Sequence, residues 1–131
     1  MELNINSPAY FSEHYGIDDE VWRYCLRLYA FFRDKQYSDS LSTIGLIPAA
    51  APDELYVASQ WKESVHFIDN ASCAIIHIRI DFDRYYHADS AGKIALMQNT
   101  LLKALKKIKS KRKFDLERFE NDLRSIHQIT L

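Results

Sequence analysis

At 131 residues, 47% of them hydrophobic and 27% charged, the chain has the size and composition of one globular domain over residues 1–131, and both argue against disorder along its length. Seventeen basic side chains against eighteen acidic ones leave a net charge of -1, so no global field draws in nucleic acid or an anionic membrane. A charge-driven partner must meet a local patch. The opening MELNINSPAYFSEHYG has neither the basic leader nor the apolar core of a secretory signal, and no apolar run reaches the roughly 18 residues of a membrane span, so a soluble cytoplasmic protein is expected.

In chain order, ELNIN (residues 2–6) alternates weakly and gives way to Ser7-Pro8, the pattern of a short strand followed by a loop. Asp18, Asp19 and Glu20 then precede VWRYCLRLYAFFRDK. Acidic groups suit the positive end of a helix, and Asp18 can accept a hydrogen bond from an unpaired backbone N–H. Val21, Cys25, Leu28 and Phe32 form one stripe with Trp22 and Tyr29 beside it, which predicts an amphipathic helix. The IGLIP segment predicts a strand stopped by Pro48 and Pro52, and PDELYVASQ is ambiguous. WKESVHFI and SCAIIHIRIDFD, divided by the turn-forming Asp69-Asn70, predict a hairpin.

In the second arm of that hairpin, Ala74, Ile76, Ile78, Ile80 and Phe82 share one face. Cys73, Ile75, His77, Arg79, Asp81 and Asp83 share the other. The remainder is helical: Ile94, Met97, Leu101, Leu105 and Ile108 recur over residues 91–109, and Leu116, Phe119, Leu123 and Ile126 repeat the spacing behind Asp115. No internal repeat or Gly/Ser linker divides the chain. The expected fold is therefore α+β, a mainly antiparallel sheet packed against about three helices.

Three constellations invite a chemical reading. Asp81 and Asp83 could share a divalent cation with His77 and Arg79 alongside, yet no further ligand stands at a recognisable spacing, and a solvated or partner-facing strand explains the same charges. His66 and His77 could face each other across the hairpin, but two histidines without a third ligand do not define a metal site. Seven of the eleven residues from Lys103 to Lys113 are basic and Phe114 follows, so a small nucleic-acid-binding module is the alternative function. A helix end rich in lysine is equally what the helix dipole favours. No GxSxG, glycine-rich phosphate loop or HExxH occurs, and no enzyme activity, cofactor or metal is expected. Cys25 and Cys73, in a predicted helix and a predicted strand, read as two buried, reduced thiols. Tyr10, Phe11, Tyr15, Tyr85 and Tyr86 fall in predicted loops, where aromatic rings suit a protein interface.

Taken in order, SPAYFSEHYGIDDE, YSDSLSTIGLIPAAAPDEL, WKES, IDFDRYYHAD and FDLERFENDL resemble a family of immunity proteins from bacterial polymorphic-toxin and contact-dependent growth-inhibition systems. The likeness spans nearly the whole chain. It implies a small cytoplasmic α+β protein that binds the carboxyl-terminal domain of a cognate toxin one to one, blocks its active site or substrate path, and catalyses nothing. If that toxin is a nuclease, an acidic strip would compete with phosphate for its basic site. On charge and exposure the toxin-binding candidates are Asp18, Asp19, Glu20, Asp81 and Asp83, with Tyr85 and Tyr86 as aromatic contacts.

Overall fold

Leu3, Ile44, Leu46, Ala74, Ile76 and Ile78 stand at alternate positions in their segments, and all six are buried. The structure, a computed structural model, describes residues 1–6, 19–59 and 61–126. Its elements are β1 (Glu2–Ile5), α1 (Asp19–Phe32), β2 (Thr43–Ala49), α2 (Asp53–Ser59), β3 (Ser64–Ile68), β4 (Cys73–Arg79), α3 (Phe82–His87), α4 (Ser90–Lys109) and α5 (Leu116–Ile126).

The four strands form one sheet in the order β1-β2-β4-β3. β1 pairs with β2 in parallel and β2 with β4 in parallel; only β3 and β4 are antiparallel. This overturns the expected mainly antiparallel sheet with about three helices: the sheet is mixed and mostly parallel, and the described residues hold five helices. The physical reason lies in the connections. A helix between β1 and β2 returns the chain to the end where it started, so the next strand must run the same way as the last. The β3–β4 hairpin then adds its second arm, not its first, to β2, which leaves β3 on the edge.

Pro48 does not stop β2, which runs on through it to Ala49 and pairs Pro48 with Ile78. The Asn6 amide donates to the Leu46 carbonyl, so even-numbered residues of β2 aim their backbone groups at β1. β1 ends at Ile5. The missing N–H of Pro48 therefore falls where no neighbouring strand remains to accept it, and a proline is tolerated in an interior strand. The other predicted stop is met: Pro52 directly precedes α2, where its carbonyl accepts from the amides of Leu55 and Tyr56. The ambiguous segment thus holds the helix Asp53–Ser59, with Asp53 and Glu54 in its first turn.

One face of the sheet carries the main core. Tyr24, Leu28 and Phe32 of α1, Leu101, Ala104, Leu105 and Ile108 of α4, and Phe119, Leu123 and Ile126 of α5 pack with the buried strand residues into one cluster. At its centre the rings of Phe32 and Phe119 stack with centroids 4.5 Å apart, and Tyr37 meets Phe119 edge-on at 5.2 Å. The Tyr37 hydroxyl donates to Asp122 Oδ2 at 2.5 Å. Phe114 is buried beside Tyr37 rather than displayed for a nucleic-acid base. Cation placement points the same way: Lys103 and Lys107 sit 3.7 and 3.6 Å from the Glu63 carboxylate.

The hairpin closes where Ile68 pairs with Cys73. Asp69, Asn70 and Ala71 all take positive φ, of 53°, 58° and 66°. Asp and Asn tolerate this region through local hydrogen bonding, whereas alanine enters it at a steric cost. Ser72 holds the turn by donating its amide and hydroxyl to the Asp69 carbonyl.

Candidate functional site

Parallel strands place the starts of the following helices at one end of the sheet. α2 and α3 begin just beyond the carboxyl ends of β2 and β4, and Val21 in the first turn of α1 packs with Ala50, Ile80, Tyr85 and Met97 in a second, smaller core. Four helices thus start here, and the carboxylates of Asp19, Glu20, Asp53, Glu54, Asp81, Asp83 and Asp89 gather with them. Helix dipoles favour acidic groups at such positions, which accounts for their presence without any ligand.

Several sequence-based candidates meet at this end. Asp18 lies outside the described residues, as do Tyr10, Phe11 and Tyr15. Asp19 and Glu20 are exposed on the first turn of α1. Asp81 is not on a strand face: β4 stops at Arg79, and Asp81 caps α3 by accepting from the Arg84 amide at 3.1 Å. Phe82 and Asp83 belong to that helix too, so the strand ends at Arg79, four residues before the expected Asp83. The cap supplies the reason, because Asp81 satisfies an amide that has no partner within the helix. Tyr85 is not in a loop but buried in the second core, 3% exposed, whereas Tyr86 is 43% exposed. Phe82 stacks on Tyr86 with near-parallel rings 5.7 Å apart.

A cleft of about 560 Å³ opens between α2 and the start of α3, lined by Asp53, Tyr56, Arg79, Asp81, Phe82 and Asp83 among others. Arg79 bridges its walls: its guanidinium lies 2.8 Å from Asp53 Oδ1 and 3.9 Å from the centre of the Tyr56 ring. Tyr56 in turn donates its hydroxyl to the Ala49 carbonyl, and burial raises its pKa. Asp53 and Tyr56 were missed in the sequence because the segment holding them had no clear period. The signal available was Pro52 followed by two acids, the pattern of a helix start.

The other face of the sheet presents Thr43, Gly45, Ile47 and Ala49 from β2 and Cys73, Ile75, His77 and Arg79 from β4, with Ser64, His66 and Ile68 from β3 beside them. Ile47 and Ile75 pack into neither core. The two histidines are diagonal neighbours rather than directly opposed, since His66 pairs with Ile75 and His77 with Ser64. Their rings are 6.2 Å apart, and His77 Nδ1 lies 3.4 Å from the Ser64 hydroxyl. Cys73 is half-buried on this face rather than sequestered. Cys25 is buried, with its thiol pushed up to about 11 by desolvation. The Cys73 thiol also shifts upward, through burial and then the charges of Asp69 and Glu2. Neither thiol is a ready nucleophile at neutral pH.

Among the described residues no group of three or more His, Cys, Asp or Glu side chains is arranged to hold a metal ion, and no described helix is long and apolar enough to cross a membrane. The surface carries the exposed Tyr86 among carboxylates at one end, and a sheet face on which Ile47 and Ile75 stand beside His66, His77 and Arg79.

The fold is that of a small α+β protein with a mixed sheet. The chain belongs to the immunity protein 44 family, Imm44, whose family model matches residues 1–128. No curated protein and no solved structure matches the chain. The resemblance read from the sequence is therefore to the right class, and an immunity protein implies a toxin as its partner.

Proposed function

We propose that this chain binds the carboxyl-terminal domain of its cognate toxin one to one in the cytoplasm and neutralises it by covering its active site or substrate path, with no catalysis of its own. The observation that carries the reading is family membership over residues 1–128. The acidic, aromatic end of the sheet supports it, since Asp19, Glu20, Asp81, Asp83 and the exposed Tyr86 offer charge for steering and a ring for anchoring. For a nuclease toxin those carboxylates would occupy the basic surface that otherwise holds phosphate. Tyr85 enters this proposal only as support beneath the surface, because it is buried.

The alternative, nucleic-acid binding through Lys103 to Lys113, loses its stacking ring with the burial of Phe114. The test is co-expression with the toxin domain encoded immediately upstream. Growth should be restored by this chain, and less well by a variant with Asp81→Lys and Asp83→Lys. Failure of the unaltered chain to restore growth would remove the proposal.

A further inference from the structure

Strands buried on both faces are apolar at successive positions, because helices cover each side of a parallel sheet. β2 (TIGLIPA) and β4 (CAIIHIR) have that character. Yet among the described residues α1, α4 and α5 contribute to a core on one side only, and Ile47 and Ile75 on the other are half-buried. On the other side α2 reaches the corner, where Tyr56 covers Arg79, and Ile47 and Ile75 pack into neither core. Ile68 at the edge is 43% exposed. Gly45, between β1 and Ile75, leaves a shallow dent: among the described residues a Cβ there would meet Ile75 Cγ1 at 3.9 Å and the Ala74 carbonyl at 4.0 Å.

The geometry points to this open sheet face as the surface on which the toxin domain docks, with Ile47, Ile75 and Ile68 as its apolar centre; the inference rests on the immunity reading above and deepens it. Size and continuity select the occupant. Strands roughly 4.8 Å apart that rise about 3.3 Å per residue give the face a footprint on the order of 400 Å². That is about half of the roughly 800 Å² that each partner contributes to a stable interface, so a second copy of the chain meeting face to face would fall short. A larger partner need not stop at the sheet. Arg79 stands at the end of this face and also lines the cleft at the carboxyl ends of β2 and β4, where it links to Asp53 and Tyr56 of α2.

The partner this combination fits is a folded domain with an apolar patch for the sheet and a cationic margin for Asp81, Asp83 and Tyr86. It would also bring a carboxylate to Arg79, whose present partner Asp53 has a 94% exposed side chain and is easily exchanged. Burial of Ile75 and Ile47 supplies affinity, and the acidic end supplies speed of encounter.

The test is calorimetric titration of the purified toxin domain encoded immediately upstream into the full chain and two variants, Ile75→Lys and Ile68→Lys, with melting followed by circular dichroism. Both variants should melt close to the parent. Ile75→Lys should weaken binding at least about 100-fold and Ile68→Lys about 10-fold. If Ile75→Lys fails to fold, Ile68→Lys at its exposed position decides alone. Parent-like affinity in the folded variants, beside tight binding by the parent, would overturn the docking surface and leave the immunity reading standing. No binding by the parent would overturn both. A free parent that sediments as a dimer, and as a monomer once Ile75→Lys is introduced, would assign the face to a second copy and overturn the inference as well.

Discussion

The two faces of this sheet are made by the same four strands and differ in almost every physical respect. One presents Leu3, Ile44, Leu46, Ala74, Ile76 and Ile78, all buried under α1, α4 and α5. The other presents Ile47, Ile75, His77 and Arg79, residues that pack into neither core. A strand places successive side chains on opposite sides, so a single run of sequence serves both tasks without compromise between them. Stability is drawn from one side, and the other is left free of that task.

The largest effect expected from this contrast is on neighbouring residues of β4. Ile78→Asp puts an unpaired carboxylate at a fully buried position and should cost about 3 kcal/mol or more in a urea titration. Arg79→Ser, one residue on and on the open face, removes an exposed ion pair and a ring contact and should cost under about 1 kcal/mol. Equal losses would break the facing assignment.

A smaller change of opposite sign is expected at the hairpin turn, which belongs to neither face. Ala71 sits at φ 66°, a conformation glycine adopts freely. Ala71→Gly should therefore leave stability unchanged or raise it by up to about 1 kcal/mol, relief of strain offsetting the extra freedom of the unfolded chain. A clear loss would mean that the turn does not hold this geometry.

The smallest effect concerns Glu63, which ties the edge of the sheet to α4 on the covered side. Burial acts to raise its pKa, but the Arg79 amide and the charges of Lys103 and Lys107 outweigh it and hold the carboxyl below its ordinary 4.5. A depressed carboxyl stabilises the fold above its unfolded pKa, and that contribution fades as pH falls through the folded value. Glu63→Gln should flatten the acid limb of the stability curve below about pH 4.5 and change little at pH 7 beyond the lost ion pairs. An unchanged acid limb would show that another carboxylate governs it.

Local periodicity made much of this legible. The helical stripes through Val21 to Phe32, Ile94 to Ile108 and Leu116 to Ile126 correspond to α1, α4 and α5, and the alternation of Ala74, Ile76 and Ile78 gives the buried side of β4. Strand order and direction were not legible, because pairing of β2 with β1 and β4 joins segments far apart in sequence and nothing local encodes it. The alternation carried on too far past Arg79 for a simple reason. Asp81, Phe82 and Asp83 continue a polar and apolar rhythm that a helix cap and a short helix satisfy equally well. Tyr85 and Tyr86 are adjacent on α3 and point to different environments, which two tyrosines in a predicted loop could not reveal. Among the candidate residues the charges were readable, and their gathering at one end was not, since it depends on the parallel course of β1, β2 and β4.

The central claim is that this immunity protein acts by holding its toxin. Titration calorimetry with the cognate toxin domain tests it most directly. The account predicts one-to-one binding with a dissociation constant at or below about 1 nM, near -12 kcal/mol. No measurable heat at micromolar concentrations, together with separate elution of the two proteins on a sizing column, would contradict it.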